Sequence, residues 1–299
     1  MKLLVLGDFH GKFPSKLYSI IKKEKIDLVV SIGDYPPFHY RKLWFKHCYG
    51  KEKELWEVIG KKKYKELVMN DLKRGEEAIR KLNNVSVPVF TVLGNIDYPS
   101  TEDASDFKPK INKGMPNWEK KNLLLDRLKS YHNIQRFDYK ALRFGDLVFI
   151  GMRGHSFPGR VKSKGYAKHK KILEKLFNKF KKENKSGKVI FVSHITPYNT
   201  KLDKMGLKPL KAALKGDYGK VIKKSKLKRH YGSKMARRII LKYQPILFFG
   251  GHIHESKGKQ KLGKTLLINP GAIHEGNFSI VDIDNEKGKI NSSKILKIH

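Results

Sequence analysis

Cysteine is nearly absent: the 299 residues contain one, Cys48. A single thiol closes no intramolecular disulfide and builds no thiolate metal cluster, so any metal here must be held by His, Asp and Asn. Cys48 itself reads as incidental. Long apolar runs are missing as well. None approaches the ~18 residues of a membrane span, and the opening "MKLLVLGDFHG" is a strand entering a polar turn, not a charged segment followed by a signal core and cleavage site. The expected location is the cytoplasm, with no membrane partner. Acids are the third scarcity: 28 Asp and Glu stand against 65 Lys and Arg, a net charge of +37. Heat-adapted chains enrich Lys but enrich Glu alongside it, so thermal adaptation does not account for this surplus. A positive field of this size points to a polyanionic partner, RNA, DNA or an acidic ribonucleoprotein, met as substrate or as docking surface.

What the chain does have, repeatedly, is an apolar β-branched run that stops at Gly and a polar residue. The runs are "LLVLGD" at 3–8, "LVVSIGD" at 28–34, "VPVFTVLGN" at 87–95, "VIFVSH" at 189–194 and "PILFFGGH" at 245–252. Such runs predict strands buried on both faces. Helical spacing lies between them: Leu17, Ile20 and Ile21; Ile172, Leu173, Leu176, Phe177 and Phe180; Met235, Ile239, Ile240 and Tyr243. The alternation predicts an α/β layer structure with ligands at the carboxyl edge of the sheet. Residues 139–154, with Gly145 and Asp146 at the turn, predict a hairpin, and "GKQKLGKTLLINPG" and "NFSIVDIDNEKGKI" repeat that pattern. These imply a second, more antiparallel set of strands. Segments 36–83 and 199–230 break the rhythm and read as insertions into one domain spanning 1–299. Positive charge is densest at 160–188, with twelve basic residues against Glu174 and Glu183, and at "KKSKLKRH", 223–230. A solvated helix face explains the first of these lysine groups. The second, with no apolar stripe, is a candidate binding segment for RNA or DNA.

Polar residues collect at the strand ends: Asp8 and His10 in "GDFHG", Asp34 in "IGD", Asn95 in "LGN", His194 in "VSH", His252 and His254 in "GGHIH". A lone D-x-H or H-x-H is usually a solvated turn. Five ordered fragments, each closing an apolar strand, are a ligand set. Two neighbouring divalent ions need a shared oxygen ligand and separate oxygen and imidazole ligands on either side, which this set supplies. Imidazole with carboxylate suits borderline metals, so two Mn or Fe ions are expected, with Zn as the alternative.

At this point the sequence resembles a known family. The ordered fragments are similar to the calcineurin-like metallophosphoesterases, and the run "GGHIHESKGKQKLGKTLLINPGA" is similar to the Icc-related phosphoesterases. The resemblance implies a four-layer α/β/β/α sandwich with two mixed sheets and a dinuclear site. Carried over residue by residue, Asp8, His10 and His254 would hold one ion, Asp34 would bridge, and Asn95, His194 and His252 would hold the other. It implies a metal-dependent phosphoesterase in which a metal-bridged hydroxide attacks phosphorus; with the positive field, the expected substrate is a diester, nucleic acid or a nucleotide. The alternative is a non-catalytic RNA-, DNA- or ribosome-binding protein on the same scaffold.

One departure bears on that choice. The family pattern reads Gly-Asn-His followed by an acid, with the His contacting the phosphate or protonating the leaving oxygen and the acid orienting it, whereas this chain reads Gly94-Asn95-Ile96-Asp97. Asp97 is then either a support for a metal ligand or a solvated turn carboxylate. Arg153 and His155, in the Gly-rich turn "GMRGHSFPGR", are candidates to clamp a phosphate and donate a proton. Tyr98 and Tyr198 stand behind them. His39, His47, His169, His230 and His274 read as surface or structural.

Overall fold

A computed structural model of the chain describes residues 1–48, 51, 53–97, 117–118, 123–154, 164–205 and 230–298. His155, Tyr98 and the lysine-rich stretch 223–229 lie outside the described residues. The strands are β1 (Lys2–Leu6), β2 (Leu28–Ser31), β3 (Val89–Thr91), β4 (Ile134–Arg136), β5 (Ala141–Phe144), β6 (Leu147–Met152), β7 (Val189–Ile195), β8 (Leu247–Gly251), β9 (Gly258–Leu262), β10 (Thr265–Asn269), β11 (Asn277–Asp284) and β12 (Lys289–Lys297). The helices are α1 (Lys16–Glu24), α2 (Arg41–His47), α3 (Leu55–Ile59), α4 (Lys61–Asn83), α5 (Leu123–Leu128), α6 (Lys164–Lys179), α7 (Lys181–Lys185) and α8 (Lys234–Tyr243).

The strands form two six-stranded mixed sheets, ordered β12-β11-β1-β2-β3-β4 and β5-β6-β7-β8-β10-β9. Period-two side-chain alternation explains why the sheets stack. Leu3, Val5, Leu28, Val30, Phe149, Ile190, Val192, Leu247 and Phe249 face one another in the layer between the sheets. Their neighbours in sequence face outward: Leu4, Leu6 and Val29 pack beneath α1 and α4, while Val148, Ile150, Phe191 and Phe248 pack beneath α6 and α8. The central strands are therefore largely apolar because both their faces are covered, and the result is the expected α/β/β/α sandwich.

Two expectations change in detail. The hairpins do not make a separate antiparallel set. β5, β9, β11 and β12 pair antiparallel at the margins of sheets whose centres, β1-β2-β3-β4 and β6-β7-β8-β10, are parallel. Segment 36–83, read as an insertion, ends in a core element: α4 is the crossover between β2 and β3 and buries Val68, Leu72, Ile79 and Leu82. Its apolar stripe is plain in the sequence, but the aromatic segment before it, which carries the short helices α2 and α3, masks the βαβ rhythm. The helices read from periodicity sit where expected, with Leu17 and Ile21 buried on α1, Leu173 and Phe177 on α6, and Met235, Ile239 and Ile240 on α8. α8 starts at Ser233, whose hydroxyl accepts from Ala236 N at 3.1 Å, a helix N-cap. Among the described residues no helix is long and apolar enough to cross a membrane.

Candidate active site

The parallel strands of both sheets end at one edge, and the polar residues of the sequence fragments meet there. The chain leaves β1 and β2 through tight turns in which non-glycine residues take left-handed backbone angles: Asp8 (φ 54), His10 (φ 45) and Asp34 (φ 60), joined by His252 (φ 69) after β8. Each such conformation costs on the order of 1 kcal/mol or more and persists only where surrounding contacts over-determine it. Those contacts are present: Asp8 N donates to Gly33 O at 2.8 Å, His10 N to Asp34 O at 3.1 Å and Gly11 N to Tyr35 O at 2.7 Å, lacing the two turns together. Gly94 is required by close approach, since a Cβ there would lie 1.9 Å from Asp34 Oδ1.

Two groups of ligand side chains contain carboxylates. Asp8, His10 and Asp34 present ligand atoms within 4.8 Å of one another, and so do Asp34, His194 and His252. Asp34 is common to both. His194 Nε2, from the second sheet, lies 3.2 Å from Asp34 Oδ2, 3.0 Å from Asn95 Oδ1 and 3.3 Å from His252 Nδ1. Its Nδ1 is taken by Ile32 O at 2.8 Å, so Nε2 is the nitrogen aimed at the cluster. His254 Nε2 lies 3.0 Å from Asp8 Oδ1. All seven expected ligands are thus in one cluster.

The donors fit divalent metal ions. His10 Nε2 is buried without a hydrogen-bond partner among the described residues, and the buried Asp8 Oδ1 faces imidazole nitrogens, His254 Nε2 at 3.0 Å and His194 Nε2 at 4.0 Å, an arrangement that a coordinated ion explains. The electrostatics are those of buried carboxylates paired with imidazoles. Burial alone would raise Asp8, yet His254, then His194 and His10, hold it well below the usual carboxylate range. Burial likewise opposes ionisation of Asp34, and His194 reverses that. The same pairing lifts His194, against its burial, to about 9. Burial pulls His10 and His252 down to about 4, which leaves neutral imidazoles suited to coordination.

Asp97 is not a solvated turn carboxylate. It is fully buried and turned away from chemistry: Oδ2 accepts from Asp34 N at 2.8 Å and Gly94 N at 2.7 Å, and Oδ1 from Tyr35 N at 2.7 Å. Burial and the Asp34 charge push it up to about 7 against the pull of those three donors. Its catalytic assignment therefore becomes a positioning one. Ile96 contributes through its backbone, donating N–H to Asp34 Oδ1 at 3.1 Å. Arg153 is buried at the end of β6, and the next residue, Gly154, donates to Leu93 O at 2.8 Å and packs so closely that a Cβ would meet His194 Cβ at 2.6 Å. That places the Arg153 turn against the second ligand group.

His274, read from sequence as surface or structural, stands at the site instead. Its Nδ1 donates to Asp8 O at 2.9 Å, and its ring lies edge-on to His10 with centroids 4.7 Å apart. The sequence does carry a signal for it: "LLINPGAIH" is a further strand, Gly and polar residue in the same grammar, with the His four residues beyond the proline instead of directly after the glycine. The other histidines set aside include His39, paired with Asp71 at 2.5 Å, and His230, paired with Asp203 at 2.7 Å.

Comparison with known proteins agrees with this geometry. The chain is 26% identical over 298 residues to the uncharacterized protein MJ1162 of Methanocaldococcus jannaschii, covering 96% of this chain and 98% of that one. A solved crystal structure shares the fold with a TM-score of 0.63 at 18% identity, covering 99% of this chain and 98% of that one. The protein TT1561 of Thermus thermophilus does so with a TM-score of 0.52 at 13% identity, covering 98% and 97%. The calcineurin-like phosphoesterase family profile matches residues 1–256, which span both ligand groups, and the chain belongs to that family of metal-binding phosphoesterases.

Proposed function

We propose that the chain is a dinuclear metal-dependent phosphodiesterase acting on nucleic acid or nucleotides. The observation that carries this reading is the position of Asp34 in both ligand groups, which gives two ions one shared carboxylate. Divalent ions bound there supply a water acidic enough to ionise near neutral pH and positive charge for the phosphoryl oxygens. The chain's own residues do the rest. Asp97 and the Ile96 N–H fix Asp34, and Arg153, whose neighbour Gly154 packs on His194, is the residue assigned to bind a phosphate. Ile96 has no proton to give, so leaving groups that are already stable anions are favoured.

The positive field supports a polyanionic substrate or scaffold. On α6 and α7, Lys168, Lys171, Lys175, Lys179, Lys181, Lys182 and Lys185 are exposed, as a solvated face would have them. Ile96 in place of a proton-donating His favours one second reading, a nucleic-acid-binding protein that keeps the metals without turnover. Hydrolysis of an aryl phosphodiester and of single-stranded RNA and DNA, with Mn(II) supplied, separates the two. The expected result is diester cleavage that requires the metal and disappears in Asp34→Ala. A wild-type chain that binds two ions and nucleic acid yet cleaves no ester supports the second reading and overturns the first.

A further inference from the structure

The family ligand set leaves one imidazole at the site without a role. His274 follows β10 in a short turn tied to the end of β1: Ile273 N donates to Gly7 O at 2.9 Å and His274 N to Asp8 O at 3.4 Å. This backbone pairing places the ring beside the first ligand group, 4.7 Å from the His10 ring and 5.3 Å from the His254 ring between centroids. One ring nitrogen from each of His10, His254 and His274 lies within 4.8 Å of the others. Nitrogens bound about 2.1 Å from a common ion are separated by at most ~4.2 Å, and the 4.8 Å bound on these three is close to that spacing. The Nδ1–H of His274 is committed to Asp8 O at 2.9 Å, which makes Nε2 the nitrogen with a free lone pair. That Nε2 makes no hydrogen bond among the described residues, and Glu275 Oε1 stands 3.9 Å from it. A ligating His usually has its other nitrogen held by a carbonyl or carboxylate, and here the carbonyl belongs to the residue whose own side chain is a ligand.

We propose that His274 is a further protein ligand of the ion held by Asp8, His10 and His254, through Nε2. The inference rests on the reading that the edge of the sheets binds two divalent ions. Its consequence is asymmetry. With Asp34 shared, the Asp8 side has five protein ligands and the Asn95 side four, so the first ion is closed in by protein while the second keeps the open positions a phosphate requires. The Asp8 side should hold its ion more tightly and exchange it more slowly.

Cobalt(II) is a suitable probe, because each imidazole bound to it displaces its ring N–H proton resonance far outside the ordinary range. The full chain loaded with two equivalents should show five such exchangeable resonances, from His10, His194, His252, His254 and His274, assigned by 15N labelling of imidazole. His274→Gln should lose one of the five and weaken the tighter of two cobalt-binding steps by at least about 100-fold, beyond the 10- to 100-fold of a lost supporting hydrogen bond. Four resonances in the wild type overturn the assignment without any variant having to fold. So does a weakened affinity in His274→Gln with every resonance retained, which would place His274 behind the ligands. A wild type that binds no cobalt overturns the metal-centre reading itself, and this inference with it.

Discussion

Replacing Asp97 by Ala should damage the protein more than removal of any exposed carboxylate, and should do so at two places at once. Three buried backbone donors, Asp34 N, Tyr35 N and Gly94 N, lose their acceptor. A buried donor left unsatisfied costs about 1–3 kcal/mol, so even the low end gives ~3 kcal/mol, a large part of the roughly 5–15 kcal/mol typical of a folded domain. Asp97→Asn is milder. Its one oxygen keeps the pair of donors from Asp34 and Gly94, while its amide confronts Tyr35 N, for a cost of about 1–3 kcal/mol. Urea unfolding of the metal-free chain measures both, with an unchanged slope showing that the same surface is exposed. The second effect is on metal: Asp34 holds a left-handed backbone (φ 60) that Asp97 clamps, so Asp97→Ala should also weaken ion binding, by roughly 10- to 100-fold. There is a pH signature as well. The folded pKa of Asp97 lies at about 7, above the ordinary aspartate value of 3.8, so between those values the folded chain binds more protons than the unfolded one, and stability falls as pH rises through that window. Asp97→Asn removes this component, so its penalty relative to wild type should shrink as pH rises from 3.8 to about 7. An Asp97→Ala protein within ~0.5 kcal/mol of wild type, with both ions retained, would refute the clamp.

Gly94→Ala should fold poorly or lose ion binding, because its Cβ would occupy the space 1.9 Å from Asp34 Oδ1; retention of two ions per chain by elemental analysis would contradict the close approach. Ion binding should release protons. His194, raised to about 9, must give up its proton to coordinate, so affinity should rise with pH until about 9, and titration calorimetry in buffers of different ionisation enthalpy should count close to one proton or more near neutral pH. For the metal-free chain the same raised pKa means that the stability from the His194 pairing is complete below pH 6.5 and is lost as pH rises through about 9, which thermal melts would register. Ile96→His should accelerate esters with poor leaving groups more than aryl diesters, within the roughly 10²- to 10⁴-fold range of a positioned acid; equal effects across a leaving-group series would mean that position 96 does not reach the departing oxygen.

The parts of this protein that are legible in the sequence are those where one physical rule acts locally. A strand buried on both faces must be apolar at every position, so β1, β2, β7 and β8 announce themselves, and the glycine and polar residue closing each run mark where the chain turns toward a ligand. What stays hidden depends on distance through space. That Asp97 faces Asp34 N and Tyr35 N, 63 and 62 residues away in the chain, leaves no periodic trace, because a clamp between two turns needs only one carboxylate in one place. His274 escapes for a related reason: its position is set by backbone pairing of residues 273 and 274 with residues 7 and 8, and that pairing has no spacing of its own. Ile96 joins the two cases. The sequence makes it look like an intrusion between Asn95 and Asp97, since side chains are all that a motif can read. In three dimensions its N–H holds the Oδ1 of Asp34, the carboxylate both ligand groups share, and any residue except proline can supply that bond. The backbone at position 96 thus serves the ion site whatever side chain it carries, which is why an isoleucine there bears on proton transfer to the leaving group and leaves the architecture of the metal ligands intact.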